Sequence, residues 1–142
     1  MLSVSRTSPD KYLYPIGNTP AVSLTEDLPP LPQANILLLG CGDIRHILFT
    51  AHFDRISNRK FDITCNDNER HIIARNVLIL TLIIDDPEES ILDAIWSIQY
   101  HLILSCKEYT ILKNQAEKLD GLSHNWRDWE RSKYGKRLRF CD

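Results

Sequence analysis

The chain has 142 residues, 43% of them hydrophobic and 25% charged, with a formal net charge of -2. That length buries a core without disulfides or metal and leaves little room for a second domain, while the composition excludes a disordered or membrane-spanning chain and the near-neutral charge names no partner. No segment reaches the roughly 18 unbroken apolar residues that a bilayer demands, and the N-terminus lacks the apolar run of a secretory signal, so the expected location is intracellular, in cytoplasm or nucleus.

Six of the seven prolines fall within residues 1–33, including the run Leu28-Pro29-Pro30-Leu31-Pro32. This stretch is expected to be a mostly extended or turn-like lead-in that fixes the chain's approach to the first strand. The domain proper is expected over residues 34–142. It opens on Ile36-Leu37-Leu38-Leu39, a continuous apolar run that ends on glycine and reads as a parallel strand buried on both faces. After Gly42, Asp43 is placed to cap a helix whose apolar positions Ile44, Ile47, Leu48 and Ala51 follow the 3.6-residue period, and Phe61–Cys65 reads as the next strand. Strand, helix, strand is the right-handed crossover unit.

From Asn68 to Ile84 the apolar run beyond Arg75 is broken by Asn76 and Thr81, which predicts a largely buried helix. Asp85-Asp86-Pro87 stops it and starts another, with Ile91, Ile95, Ile98 and Leu102 on one stripe beside Trp96 and Ile103. Two shorter helices are expected over about 108–119 and 125–134, separated by Gly121. The fold class is therefore α/β: a Rossmann-like βαβ start with a helical second half.

The chemistry concentrates at Gly40-Cys41-Gly42-Asp43. A strand that ends in Gly-x-Gly and turns into a helix brings backbone N–H groups to a ligand with no Cβ in the way, at the positive end of the helix dipole. The dinucleotide fingerprint requires a third glycine where Arg45 stands, and Asp43 would repel a pyrophosphate. The ligand this turn fits better is S-adenosylmethionine, which carries no phosphate. Its second requirement is a carboxylate at the end of the second strand to accept hydrogen bonds from the ribose hydroxyls. Asp67 lies there, with Glu69 as the near substitute; the alternative is that Asp67 or Asn68 merely caps the next helix.

The runs YPIGNTPAVSLTEDLPP, ILLLGCGDIRHILFT, DITCNDNERHIIARNVLILTLI and YGKRLRFCD resemble the domain of unknown function at the N-terminus of fungal MYND zinc-finger proteins, from about Tyr14 to the last residue. The glycine turn and the IIARN helix are more distantly similar to the dynein axonemal assembly factor family, itself methyltransferase-like in its expected fold. The resemblance implies that the chain stops short of the family domain's usual continuation. It carries no MYND cysteine cluster, so zinc binding does not come with it. Methyltransferases place an acidic residue two before the first glycine to hold the methionyl ammonium group, where this chain has Leu38, and a third glycine two after the second, where it has Ile44.

The four cysteines, Cys41, Cys65, Cys106 and Cys141, lack metal-binding spacing and read as free thiols. Arg45 and His46 stand in the first helical turn, where they would approach an anionic ligand or serve ordinary packing. Nothing in the order of Ser, His and Asp supports hydrolase chemistry. In the tail, basic residues from Arg127 to Arg139 interleave with Trp126, Trp129 and Tyr134, a mixture that single-stranded nucleic acid would favour. Trp126 and Trp129 lie one turn apart, however, and read more simply as the buried face of an amphipathic helix. The expected function is a non-catalytic interaction or assembly module on a degenerate methyltransferase-like scaffold, with a protein partner or self-association. The alternative is an S-adenosylmethionine-binding domain of a methyltransferase or cofactor sensor.

Overall fold

The computed structural model describes residues 19–29, 32–55, 59–86, 91–124 and 126–131. The chain divides into two compact units, residues 1–72 and 73–142. Taken over the described residues the architecture is mixed α/β, a two-stranded parallel sheet and helices.

In the first unit β1 (Gln33–Leu39) pairs in parallel with β2 (Lys60–Asn66), joined through α1 (Arg45–Phe53). The register sets Ile36 opposite Ile63 and Leu38 opposite Cys65. Because side chains alternate along a strand, those four share the half-buried face. The other face of β1 is open: Leu37 is 60% and Leu39 75% exposed. The expectation of burial on both faces is thus corrected, since an apolar run permits two covered faces but does not supply the second cover.

The stripe expected on α1 is also corrected. Ile44 is buried and Ile47 half-buried, but Leu48 and Ala51 are exposed, and the fully buried residue of the helix is Thr50. The reason is segment 19–29, which turns at residues 24–27 and lies against that side of α1. Leu24 N–H donates to Thr50 Oγ1 at 2.9 Å, and the Thr50 hydroxyl donates onward to the His46 carbonyl at 2.7 Å. Val22 N–H donates to His46 Nδ1 at 3.2 Å. From the approach to β2, Arg59 reaches back to the carbonyls of Thr25 at 3.1 Å and Pro29 at 3.4 Å. A segment with little repetitive structure of its own is held by side chains that satisfy its backbone groups, as buried backbone requires.

The helix α2 (Arg70–Asp85) begins in the first unit and continues into the second. No residue from Arg75 to Asp85 is exposed, in agreement with its largely apolar character, and the two polar residues that break the run, Asn76 and Thr81, are themselves buried. The second unit continues with α3 (Leu92–Tyr100), α4 (Cys106–Ser123) and α5 (Trp126–Arg131); α3 packs on α4 and α4 on α5. Its buried residues include Ile79, Leu82, Ala94 and Ile95. At the end of α2, Asp85 receives the Gln115 amide at 3.0 Å and the Lys118 ammonium at 2.8 Å from α4.

Two expectations fail here. Leu102, assigned to the apolar stripe of α3, and Ile103, placed beside it, follow the last residue of the helix and are 99% and 85% exposed. Gly121 separates nothing, because α4 runs through it to Ser123. One internal glycine costs a helix about 1 kcal/mol, and α4 is 18 residues long and opens on a capping box in which Ser105 and Glu108 satisfy each other's backbone N–H. The start expected at Pro87, the side chains of Trp126 and Trp129, and the tail beyond Arg131 lie outside the described residues.

Candidate functional site

The turn after β1 requires its glycines. Gly40 has φ 66° and Gly42 φ 57°, left-handed values that a side chain disfavours, and nothing stands within 4 Å of where a Cβ would be on either. Between them Cys41 is buried, and its N–H donates to the Asn66 carbonyl at 3.0 Å, which carries the β1–β2 pairing past the end of the strands.

Asp67 holds the turn to the start of α2. Its Oδ2 accepts the Gly42 N–H at 3.0 Å and its Oδ1 accepts the Glu69 N–H at 3.0 Å. Glu69 contributes its carbonyl to Ile72 N–H at 2.9 Å. The glycine turn and the carboxylate expected to receive a ribose are therefore adjacent and bonded to one another. Asp43 is 7% exposed, and its carboxylate is taken by its neighbour: Oδ1 accepts the Arg45 N–H at 2.9 Å and both oxygens face Arg45 Nε at 2.8 Å. Arg45 extends a second donor to the Thr19 carbonyl at 3.0 Å. Arg45 and His46 thus both hold segment 19–29. The position two before the first glycine, Leu38, is half-buried opposite Cys65.

Cys41 and Cys65 also come together at this turn, since Cys41 N–H bonds the carbonyl of the residue after Cys65, and the Cys41 S–H donates to the Gly42 carbonyl at 3.8 Å. Burial, with Cys65 and Asp67 beside it, pushes the Cys41 thiol up to about 11. Burial raises Cys65 as well. Sequence reasoning treated the two as unrelated, although Cys41 lies two residues beyond β1 and Cys65 is next to last in β2, which parallel pairing brings together. It also passed over Thr50 and Arg59, whose roles depend on backbone groups about 25 to 35 residues away. Among the described residues no group of three or more His, Cys, Asp or Glu is placed to hold a metal ion, and no helix is long and apolar enough to cross a membrane.

Residues 15–104 match the family described as Domain of unknown function (DUF4470). Among curated proteins the chain is similar to dynein axonemal assembly factor 3 of Bos taurus, 35% identical over an alignment of 86 residues that covers 51% of this chain and 16% of the relative. The Xenopus tropicalis protein of the same name is 36% identical over 87 residues, 51% of this chain and 19% of the relative. The human one is 30% identical over 86 residues, again 51% and 16%. The chain thus spans less than a fifth of the length of these relatives. No solved structure matches.

Proposed function

The chain belongs to the family described as Domain of unknown function (DUF4470), and we propose that it is a non-catalytic interaction or assembly module built on a degenerate, methyltransferase-like Rossmann scaffold. The observation that carries this reading is the mutual bond between Gly42 N–H and the Asp67 carboxylate, whose second oxygen is already given to Glu69. The donor and acceptor that a cofactor would need are committed to each other. Asp43 is likewise committed to Arg45, and Leu38 offers nothing to a ligand's ammonium group. Similarity to proteins named as dynein assembly factors supports a protein partner, or a second copy, as what the module binds. The natural context is then an intracellular multidomain protein, such as the MYND-finger proteins that the sequence resembles.

A second reading, an S-adenosylmethionine-binding domain, is favoured by one observation: both glycines have left-handed φ with open space before them, beside a carboxylate at the end of β2. Calorimetric titration with S-adenosylmethionine separates the two. A missing charge-assisted bond weakens binding by roughly 1.5 to 3 kcal/mol, about ten-fold to more than a hundred-fold, and a ligand must also break the Gly42–Asp67 bond. The expected result is no measurable binding by the unmodified chain and none after Leu38→Asp. Micromolar binding that Asp67→Ala or Glu69→Ala abolishes would replace the first reading with the second.

A further inference from the structure

We propose that Cys41 and Cys65 form a dithiol modification site, which closes to an intrachain disulfide by exchange with a small disulfide of the glutathione class. Three placements carry the inference. The parallel register puts Cys65 opposite Leu38, and the left-handed Gly40 turns the chain so that Cys41 N–H meets the carbonyl of Asn66, the residue after Cys65. The two cysteines are thereby neighbours at the end of the sheet, where the Cys41 S–H faces the Gly42 carbonyl at 3.8 Å. Their environments also differ: Cys41 is buried and Cys65 half-buried.

That difference assigns the roles. Cys65, the more accessible sulfur, loses its proton and attacks as the thiolate. One glutathione leaves as a thiolate and takes up a proton, while the other stays on Cys65 as a mixed disulfide. Cys41 then loses its proton, attacks the Cys65 sulfur and expels the second glutathione. Two protein thiols are oxidised, one glutathione disulfide is reduced to two thiols, and the two protein protons end on the products. Both thiols titrate above their ordinary range, Cys41 at about 11. Exchange is therefore slow near neutrality and accelerates as the pH rises, because the thiolate is the nucleophile. Closure encloses α1 and pins the glycine turn to β2, so the product resists unfolding more than the dithiol does.

The test uses the whole 142-residue chain, unsubstituted and with Cys106→Ser and Cys141→Ser, treated with oxidised glutathione from neutral to alkaline pH. Products are mapped by proteolysis and mass spectrometry without reduction. The expected product of the doubly substituted chain is a Cys41–Cys65 cross-linked peptide pair, two glutathione thiols released per chain, formation faster at higher pH, and a raised melting temperature that reverts on reduction. Adding Cys41→Ser is expected to arrest the reaction at a mixed disulfide on Cys65. Two findings overturn the proposal: glutathione retained on both cysteines without a cross-link, or both thiols still free under conditions that modify the exposed Cys106 of the unsubstituted chain.

Discussion

At the residue scale the chain contains glycines of opposite character, and substituting them by alanine should move stability in opposite directions. Gly42 has φ 57° and Gly121 lies inside α4, yet neither would bring a new Cβ within 4 Å of another atom. Sterics from neighbours are therefore absent at both positions, and backbone preference alone decides the sign. Gly42→Ala is expected to cost about 1 to 2 kcal/mol in left-handed strain, and Gly42→Asn less, because asparagine visits that region more readily. Gly121→Ala should stabilise by up to about 1 kcal/mol, the difference in helix propensity. Urea unfolding of the three variants measures this; a Gly42→Ala protein as stable as its parent would remove the turn from any account of the site. The turn was legible in the sequence because its signal is local: an apolar run, two glycines, and a carboxylate after the next strand. That Asp67 is given to the turn itself was not legible, since a carboxylate poised for a ligand and one bonded to Gly42 have the same sequence.

At the element scale, what the sequence announced and what it concealed divide by distance along the chain. The order β1, α1, β2, α2 follows from periodicity and punctuation, and α2 is covered beyond Arg75 as its largely apolar run demands. The capping box of α4 stands openly in Ser105-Cys106-Lys107-Glu108, and its pattern argues for a start at that point rather than at Glu108. The buried face of α1 was misassigned because the segment covering it joins through single side-chain bonds over about 24 to 26 residues, which leave no period to detect. Thr50 is the centre of that joint, with no exposed surface, accepting from Leu24 N–H and donating to His46 C=O. Thr50→Val keeps the shape and removes both bonds, leaving the Leu24 amide without its acceptor. The expected cost is about 1 to 3 kcal/mol, with faster hydrogen exchange at Leu24 than in the parent. Unchanged exchange at Leu24 would mean that segment 19–29 is held by something other than this hydroxyl.

At the scale of the whole molecule the exposed apolar surface bears on the proposed role, and it is present in each unit separately. In the first, Leu37 and Leu39 stand on the open face of β1, although parallel strands are ordinarily covered on both sides. In the second, Trp96 is 61% exposed on α3 with its ring 4.5 Å from that of Tyr100, and the loop that follows presents Leu102 and Ile103. Apolar side chains that contribute nothing to their own fold can be exchanged without harming it, and that separates an interaction role from a structural one. Leu102→Ser and Ile103→Ser remove side chains that are 99% and 85% exposed, so each should change unfolding stability by less than about 0.5 kcal/mol. If this loop is part of an association surface, the double variant should also bind less hydrophobic dye and sediment as a smaller species than the parent at high protein concentration. A parent chain that is already monomeric and dye-free at every concentration would count against self-association, leaving a different protein as the partner to seek. A double variant that loses several kcal/mol would show instead that Leu102 and Ile103 are buried in the folded chain, and the surface argument would fail at its first step.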